Sequence, residues 1–243
     1  MYHDAHDLKN YYETFEGRMV QRLVRQRVRK LWPDMKGLSL LGFGFATPLL
    51  RPFVGEAKSV TALMPARQGV VFWPPDEKGL SALCDESEWP IETSSVDRVI
   101  VMHCMEHTDR LEETMKEIWR VLAGSGRVLL VVPNRAGLWA KSDHTPFGHG
   151  TPYTISQMHK ILRQNLFVPE QSERALFFPP VRSRLVMALA PAFERFGGRF
   201  FHAFGGLNLI EASKQLYAPT MAGATAKIQV KRTVILPEVS SRT

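Results

Sequence analysis

The chain has no apolar run of eighteen residues, so no segment reads as a membrane-spanning helix, which needs about 20. Its opening stretch, Met1–Asn10, is polar, with two histidines and two aspartates, and lacks the apolar core of a secretory signal. Cysteine is scarce. Cys84 and Cys104 are the only two in 243 residues, too few for a disulfide framework and consistent with a reducing compartment. The expected location is therefore cytoplasmic. Acidic residues are also in deficit, 24 against 31 Lys and Arg, which leaves a net charge of +7. What the chain does have is 44% hydrophobic residues, enough at this length to bury the core of one α/β domain.

Much of the positive charge falls in one stretch. From Lys9 to Trp32, the residues Tyr12, Phe15, Met19, Leu23, Val28 and Leu31 recur every three to five positions. Arg18, Arg22, Arg25, Arg27, Arg29 and Lys30 fill the other faces. The spacing predicts a single amphipathic helix with a basic back, stopped by Pro33. That back is expected to be a solvated face. Nucleic-acid binding is not expected, because neither a stacking motif nor zinc-finger spacing accompanies the charge. A protein partner has two candidate surfaces, this helix and the C-terminal tail.

The organising stretch is Leu38–Pro48, an apolar strand that ends in Gly42-Phe43-Gly44. Two glycines at the end of a buried parallel strand allow the backbone to turn sharply and approach a ligand. Ala46 stands where a dinucleotide fingerprint has its third glycine, and Pro48 and Pro52 limit Thr47–Val54 to a short helix. Further strands are expected at Ser59–Met64, in the segment Val70–Trp73 and at Ser95–Met102, with a short apolar piece at Ser81–Cys84 ending on Asp85. A helix over Arg110–Leu122 and a strand over Arg127–Val132 follow. Beyond them are a helix over Thr154–Gln164, strand pieces at Phe167-Val168 and Ala175–Phe178, a helix over Val181–Phe196 ended by Gly197-Gly198, and a last strand at Gly206–Ala212.

These segments, in this order, resemble the class I S-adenosylmethionine-dependent methyltransferase family, in its small-molecule and quinone methyltransferase branch. The resemblance is carried by Asp85–Trp89, Val96–Met102, Met105-Glu106-His107, Glu117–Leu122 and Gly126–Asn134. Trp139, Thr145–Gly150, Pro152-Tyr153 and Glu211–Gln215 are similar to an uncharacterised bacterial subgroup. The family, matched over about Leu38–Asn134, implies a doubly wound, mostly parallel seven-stranded sheet; the domain is expected over residues 36–220, with the N-terminal basic helix of residues 1–35 packed on it and a tail over 221–243. It also implies S-adenosylmethionine as cofactor, held by Gly42, Gly44, Asp85, Glu86 and His103; the subgroup implies no known substrate, and the expected activity is methyl transfer to an unidentified small or lipid-like acceptor. The Asn-Pro-Pro-Tyr motif used on amino groups of DNA bases is absent after strand 4. Two positions depart from the family: Leu40 replaces an acidic residue before the first glycine, and Leu63 or Met64 replaces the carboxylate that accepts the ribose hydroxyls. Each lost hydrogen bond to a charged acceptor costs about 1.5–3 kcal/mol, so weakened affinity is expected. The alternative reading is a methyltransferase-fold binding or regulatory protein whose cofactor chemistry is weakened or lost.

Two polar clusters remain. His103-Cys104-x-x-His107 crosses a strand-to-helix junction, so its side chains need not converge and no metal is expected. The loop from Ala140 to Tyr153, just after strand 5, holds Asp143, His144, His149, two glycines, two prolines and two aromatics, the composition of a substrate wall. A histidine there is poised near neutral pH to take a proton from an acceptor, which makes His149, then His144, the candidate bases. Trp139, Phe147 and Tyr153 are expected to line the acceptor side.

Overall fold

The computed structural model describes residues 4–75, 79–181, 183, 186, 188–200 and 202–216. Seven strands form one sheet: β1 (Ser39–Gly44), β2 (Ser59–Pro65), β3 (Ser81–Cys84), β4 (Val96–Met102), β5 (Leu122–Pro133), β6 (Phe167–Ala175) and β7 (Leu207–Lys214). Their order is β3-β2-β1-β4-β5-β7-β6, with β7 antiparallel to both its neighbours and the other pairs parallel. This is the expected doubly wound sheet. The central strands are apolar almost throughout because each is covered on both faces. On one face Leu40, Ala62, Met64, Ile100 and Leu129 pack with α1 (Ala5–Glu13), α2 (Phe15–Leu31) and α3 (Thr47–Leu50). On the other, Leu41, Phe43, Val99, Val101 and Leu130 pack with α4 (Leu111–Val121) and α5 (Ile155–Gln164).

The single basic helix expected over Lys9–Trp32 is two helices. Thr14 adopts extended angles, φ −70° and ψ 164°, and its hydroxyl accepts from Gly17 N–H at 3.0 Å, capping α2 while ending α1. A Thr at an N-cap satisfies a helix-terminal donor, and this local bond outweighs the continuous apolar period read across it. The far end of α2 is pinned to the sheet, where Trp32 Nε1 donates to Glu211 Oε1 at 2.7 Å and Arg127 meets the same oxygen at 3.1 Å. Much of the basic back is engaged with the protein itself: Arg25 donates to Pro48 O, Arg29 forms a two-pronged pair with Glu56, and Arg27 pairs with Glu194.

Other boundaries shift for identifiable reasons. The third strand is Ser81–Cys84, and Val70–Trp73 is a loop whose Trp73 is tied to Ser81 and Leu80 by single hydrogen bonds. β6 is one strand, not two pieces, because a bulge between Pro169 and Gln171 absorbs the proline. The helix expected at Val181–Phe196 is observed as α6 (Ala190–Phe200), which continues through Gly197 and Gly198. A Cβ at Gly197 would stand 2.4 Å from Phe177 Cβ, so the glycine serves close packing instead of stopping the helix. Arg182, Arg184, Leu185 and Met187 of the expected helix lie outside the described residues, as does the 221–243 tail.

Candidate functional site

β1 delivers its glycines to different tasks. Gly42 stays inside the strand, paired with Ala62 and Ile100, and a Cβ there would lie 2.5 Å from Leu50 Cδ1, so it is the seat of α3. Gly44 makes the turn, with φ +75°, and a Cβ on it would meet Met102 O at 2.3 Å and Cys104 Cβ at 2.8 Å. The turn therefore closes against the end of β4. Above it Phe45 stacks on Tyr12 of α1 with ring centroids 6.0 Å apart. At the end of β2, Leu63 and Met64 are both buried, Met64 on the α1 face and Leu63 on the other, so neither offers a carboxylate position open to solvent.

The end of β3 is polar and open. Asp85 accepts from Ser87 N–H at 2.9 Å and Ser87 Oγ–H at 2.6 Å and pairs with Arg110 at 3.1 Å; the Ser87 bonds, with Arg110 and Arg67 nearby, hold its carboxyl below the usual range. Glu86 is buried and accepts from the Thr108 hydroxyl. Its backbone is held by Trp89, whose Nε1 donates to Glu86 O at 3.2 Å while its ring packs on Phe43 at 4.3 Å. Arg120 in turn donates to Trp89 O and Ile91 O, and Glu117 accepts from Trp89 N–H, so α4 fixes this loop. Ala66, Arg67, Asp85, Glu86 and Arg110 line a cavity of about 190 Å³.

The densest chemistry sits at the end of β4. His103 is fully buried with φ 53°, a left-handed conformation uncommon for a side-chain-bearing residue and a mark of functional sites. Its Nε2 shares a 2.8 Å hydrogen bond with the Tyr12 hydroxyl, and its carbonyl accepts from Gln68 Nε2 at 2.9 Å. Its Nδ1 lies 3.6 Å from Glu106 Oε1. Burial works to raise the Glu106 carboxyl, but the His103 and His107 rings outweigh it and hold it below the usual carboxylate range. Among the described residues, Gln68 Oε1, His103 Nδ1, both Glu106 oxygens and the Tyr11 hydroxyl are buried without a hydrogen-bond partner. The sequence reading missed Tyr11, Tyr12 and Gln68. Their signal was slight: two adjacent tyrosines in a helix and a glutamine after β2, brought to His103 only by the fold.

The loop after β5 reaches this cluster through Phe147, whose ring lies 4.9 Å from the His103 ring and contacts Trp139 edge-on at 5.7 Å. Trp139 is fully buried and donates to Phe178 O at 2.8 Å, which places it in the core behind Phe147. Gly150, at φ +80°, brings the loop onto Glu106, and Thr151 N–H donates to Glu106 O at 2.7 Å. Tyr153 donates to Met105 O at 3.1 Å. The two histidines differ. His149 Nε2 is bound to Asp143 O of its own loop at 2.9 Å. His144 stands between Ser142 Oγ, 2.9 Å from Nδ1, and the buried Glu16, whose Oε1 is 3.9 Å from Nε2. Among the described residues no three His, Cys, Asp or Glu side chains gather as metal ligands.

A small-molecule cofactor fits this chemistry better than this space. Orphaned acceptors and donors around Glu106, Gln68 and His103 suit a charged, amino-acid-like end, and the Asp85–Arg110 cavity suits a polar ring. Yet about 190 Å³ is below the roughly 300 Å³ of small ligand pockets, and α1 covers the turn between the two.

The methyltransferase-domain family profile matches residues 41–130, the span from β1 into β5 that includes Gly44, Gln68, Asp85, Glu86, His103 and Glu106. No protein of curated function matches the chain. Solved structures do. A SAM-dependent methyltransferase from Archaeoglobus fulgidus is 20% identical with a TM-score of 0.59, over 84% of this chain and 100% of that one. A possible histamine N-methyltransferase from Thermotoga maritima is 14% identical with a TM-score of 0.59, over 86% and 95%. A methyltransferase solved with its activator from Haloferax volcanii is 15% identical, TM-score 0.59, over 88% and 95%. At these identities the likeness is one of fold.

Proposed function

We propose, from the methyltransferase-domain match over residues 41–130 and the likeness in fold to S-adenosylmethionine-dependent methyltransferases, that the chain is a class I member of that family, takes S-adenosylmethionine as cofactor, and transfers a methyl group to a small or lipid-like acceptor from a site closed by α1. The observation that carries this reading is the buried polar cluster of Gln68, His103 and Glu106 beside the Gly44 turn, in which Gln68 Oε1 and the Glu106 oxygens have no hydrogen-bond partner among the described residues. Buried polar groups without partners cost about 1–3 kcal/mol each, and a scaffold with no ligand has no compensating gain from them. The cofactor supplies an electrophilic methyl group when bound. Asp85 and the Glu86 backbone would hold its ring end, Glu106 and Gln68 its charged end, and Gly44 and His103 shape the floor between them. Phe147, with Trp139 behind it, and Tyr153 would wall the acceptor side and exclude water, which strengthens positioning and charge effects there. The acceptor proton would fall to a histidine of this loop, His149 or His144.

The competing reading, a binding protein with lost cofactor chemistry, is favoured by the apolar end of β2 and by the α1 cover. Calorimetric titration of the full chain with S-adenosylmethionine and its demethylated product separates them. Micromolar or weaker binding that falls about tenfold in Glu106→Gln supports the enzyme, and no heat at millimolar ligand with the protein folded overturns it.

A further inference from the structure

The connection between β6 and β7 offers a surface that the methyl-transfer reading does not use. Ala175 and Pro133 both pair with Leu207, so the described residues of the β6–β7 connection leave and rejoin the sheet at the edge where β5 ends. β1 and β4 run parallel to β5, so this is also the edge that carries Gly44 and His103. There, Leu189, Phe193, Phe196 and Phe204 are 57%, 39%, 65% and 59% exposed and line an apolar depression of about 430 Å³ with Phe177 and Ala192. Grouped exposed rings of this kind mark a contact surface. Beside them α2 and α6 border a groove of about 740 Å³, whose rim includes Arg22, Arg27, Lys30, Arg195 and Arg199. Its carboxylates are already engaged, Glu173 by Lys30 and Arg27 and Glu194 by Arg27. Arg22, Arg195 and Arg199 are exposed and meet no carboxylate among the described residues.

We propose that this surface docks the protein on an anionic lipid membrane, with the phenylalanines entering the interface and the arginines meeting the head groups. A helix with aromatic residues on one side and arginine beside them has the composition of an interfacial helix, and anionic head groups attract basic residues near the surface. A second copy of the chain is the poorer occupant, because a two-fold dimer through this patch places the arginine-rich rims of both copies in one interface, in a chain of net charge +7. Docking here sets the methyl-transfer edge against the bilayer and so deepens the lipid-like acceptor reading. It is measured without cofactor, so its failure is distinct from failure of cofactor binding.

The test is co-sedimentation of the full chain with vesicles of phosphatidylcholine alone and of phosphatidylcholine mixed with phosphatidylglycerol. Binding to the anionic vesicles is expected to be at least about tenfold tighter and to weaken as salt is raised. Phe193→Ser with Phe196→Ser, both exposed and therefore compatible with folding, is expected to lose about tenfold or more, and Arg195→Glu with Arg199→Glu to lose the anionic preference. Circular dichroism checks that each variant is folded. The proposal is overturned if the folded wild-type chain stays in solution with anionic vesicles at low salt, if binding survives both double variants, or if the chain ignores vesicles and instead forms a dimer that the phenylalanine variant dissociates.

Discussion

At the ends of β1 and β2 stand Phe45, Met64 and Pro65, packed beneath α1, whereas the ends of β3 and β4 carry Asp85, Glu86, His103 and Glu106. Both regions occupy one edge of one sheet and were assembled by the same strand pattern. The first is complete as it stands: apolar, close-packed, with Gly44 turned against the β4 backbone. The second is polar, and its Glu106 carboxylate and Gln68 amide oxygen have no hydrogen-bond partner among the described residues. The buried polar side chains of this sheet edge therefore gather at the ends of β3 and β4, while the ends of β1 and β2 are apolar core.

The sharpest way to break the comparison is to put a carboxylate back on β2. Met64→Asp is expected to bury an unpaired charge against α1 and lower stability by about 3–5 kcal/mol in chemical denaturation at neutral pH. If the variant instead folds normally and binds S-adenosylmethionine more tightly, the β2 end is open in solution and the contrast fails. A smaller effect is expected from Tyr12→Phe, which leaves His103 Nε2 buried without its 2.8 Å partner. It should cost about 1–3 kcal/mol and speed proteolysis within α1 ahead of the rest of the chain. An unchanged stability would show that α1 is held by apolar contacts alone. The smallest effect concerns pH. Because the folded Glu106 carboxyl titrates below its unfolded value, its stabilisation is present above the ordinary glutamate range and is lost as pH falls through the lower, folded value. Glu106→Gln should flatten that acid limb of the stability curve; an identical limb in the variant would assign it to other carboxylates.

The sheet was legible because buried parallel strands are written as continuous apolar runs separated by turn residues, as in Ser59–Pro65 and Val96–Met102. Asp85, Glu86 and His103 were legible as residues that follow such strands. Trp139 was placed at the acceptor wall, yet its indole lies in the core, because an aromatic residue in a loop reads the same whether it faces a ligand or supports the side chain that does. The Tyr12–His103 bond spans 91 positions, and no local pattern encodes such a contact. The Thr14 break was hidden for the opposite reason: a single cap outweighed a long-range periodicity that runs through it. Pro169 and Gly197 misled because both are usual breakers, and here a bulge and the Phe177 ring accommodate them.

α1 is nine residues long, too short to hold a helix in water on its own. Its order is borrowed from what lies beneath it, through the Ala5 N–H to Gln68 O bond of 2.8 Å and the Tyr12 hydroxyl. Lifting it from the sheet edge is then a folding transition of one segment and not the swing of a rigid flap. The amide protons of α1 would exchange with solvent at a rate set by that local equilibrium, and a ligand that fills the space beneath a re-formed helix would slow them, while one that holds the helix away would hasten them.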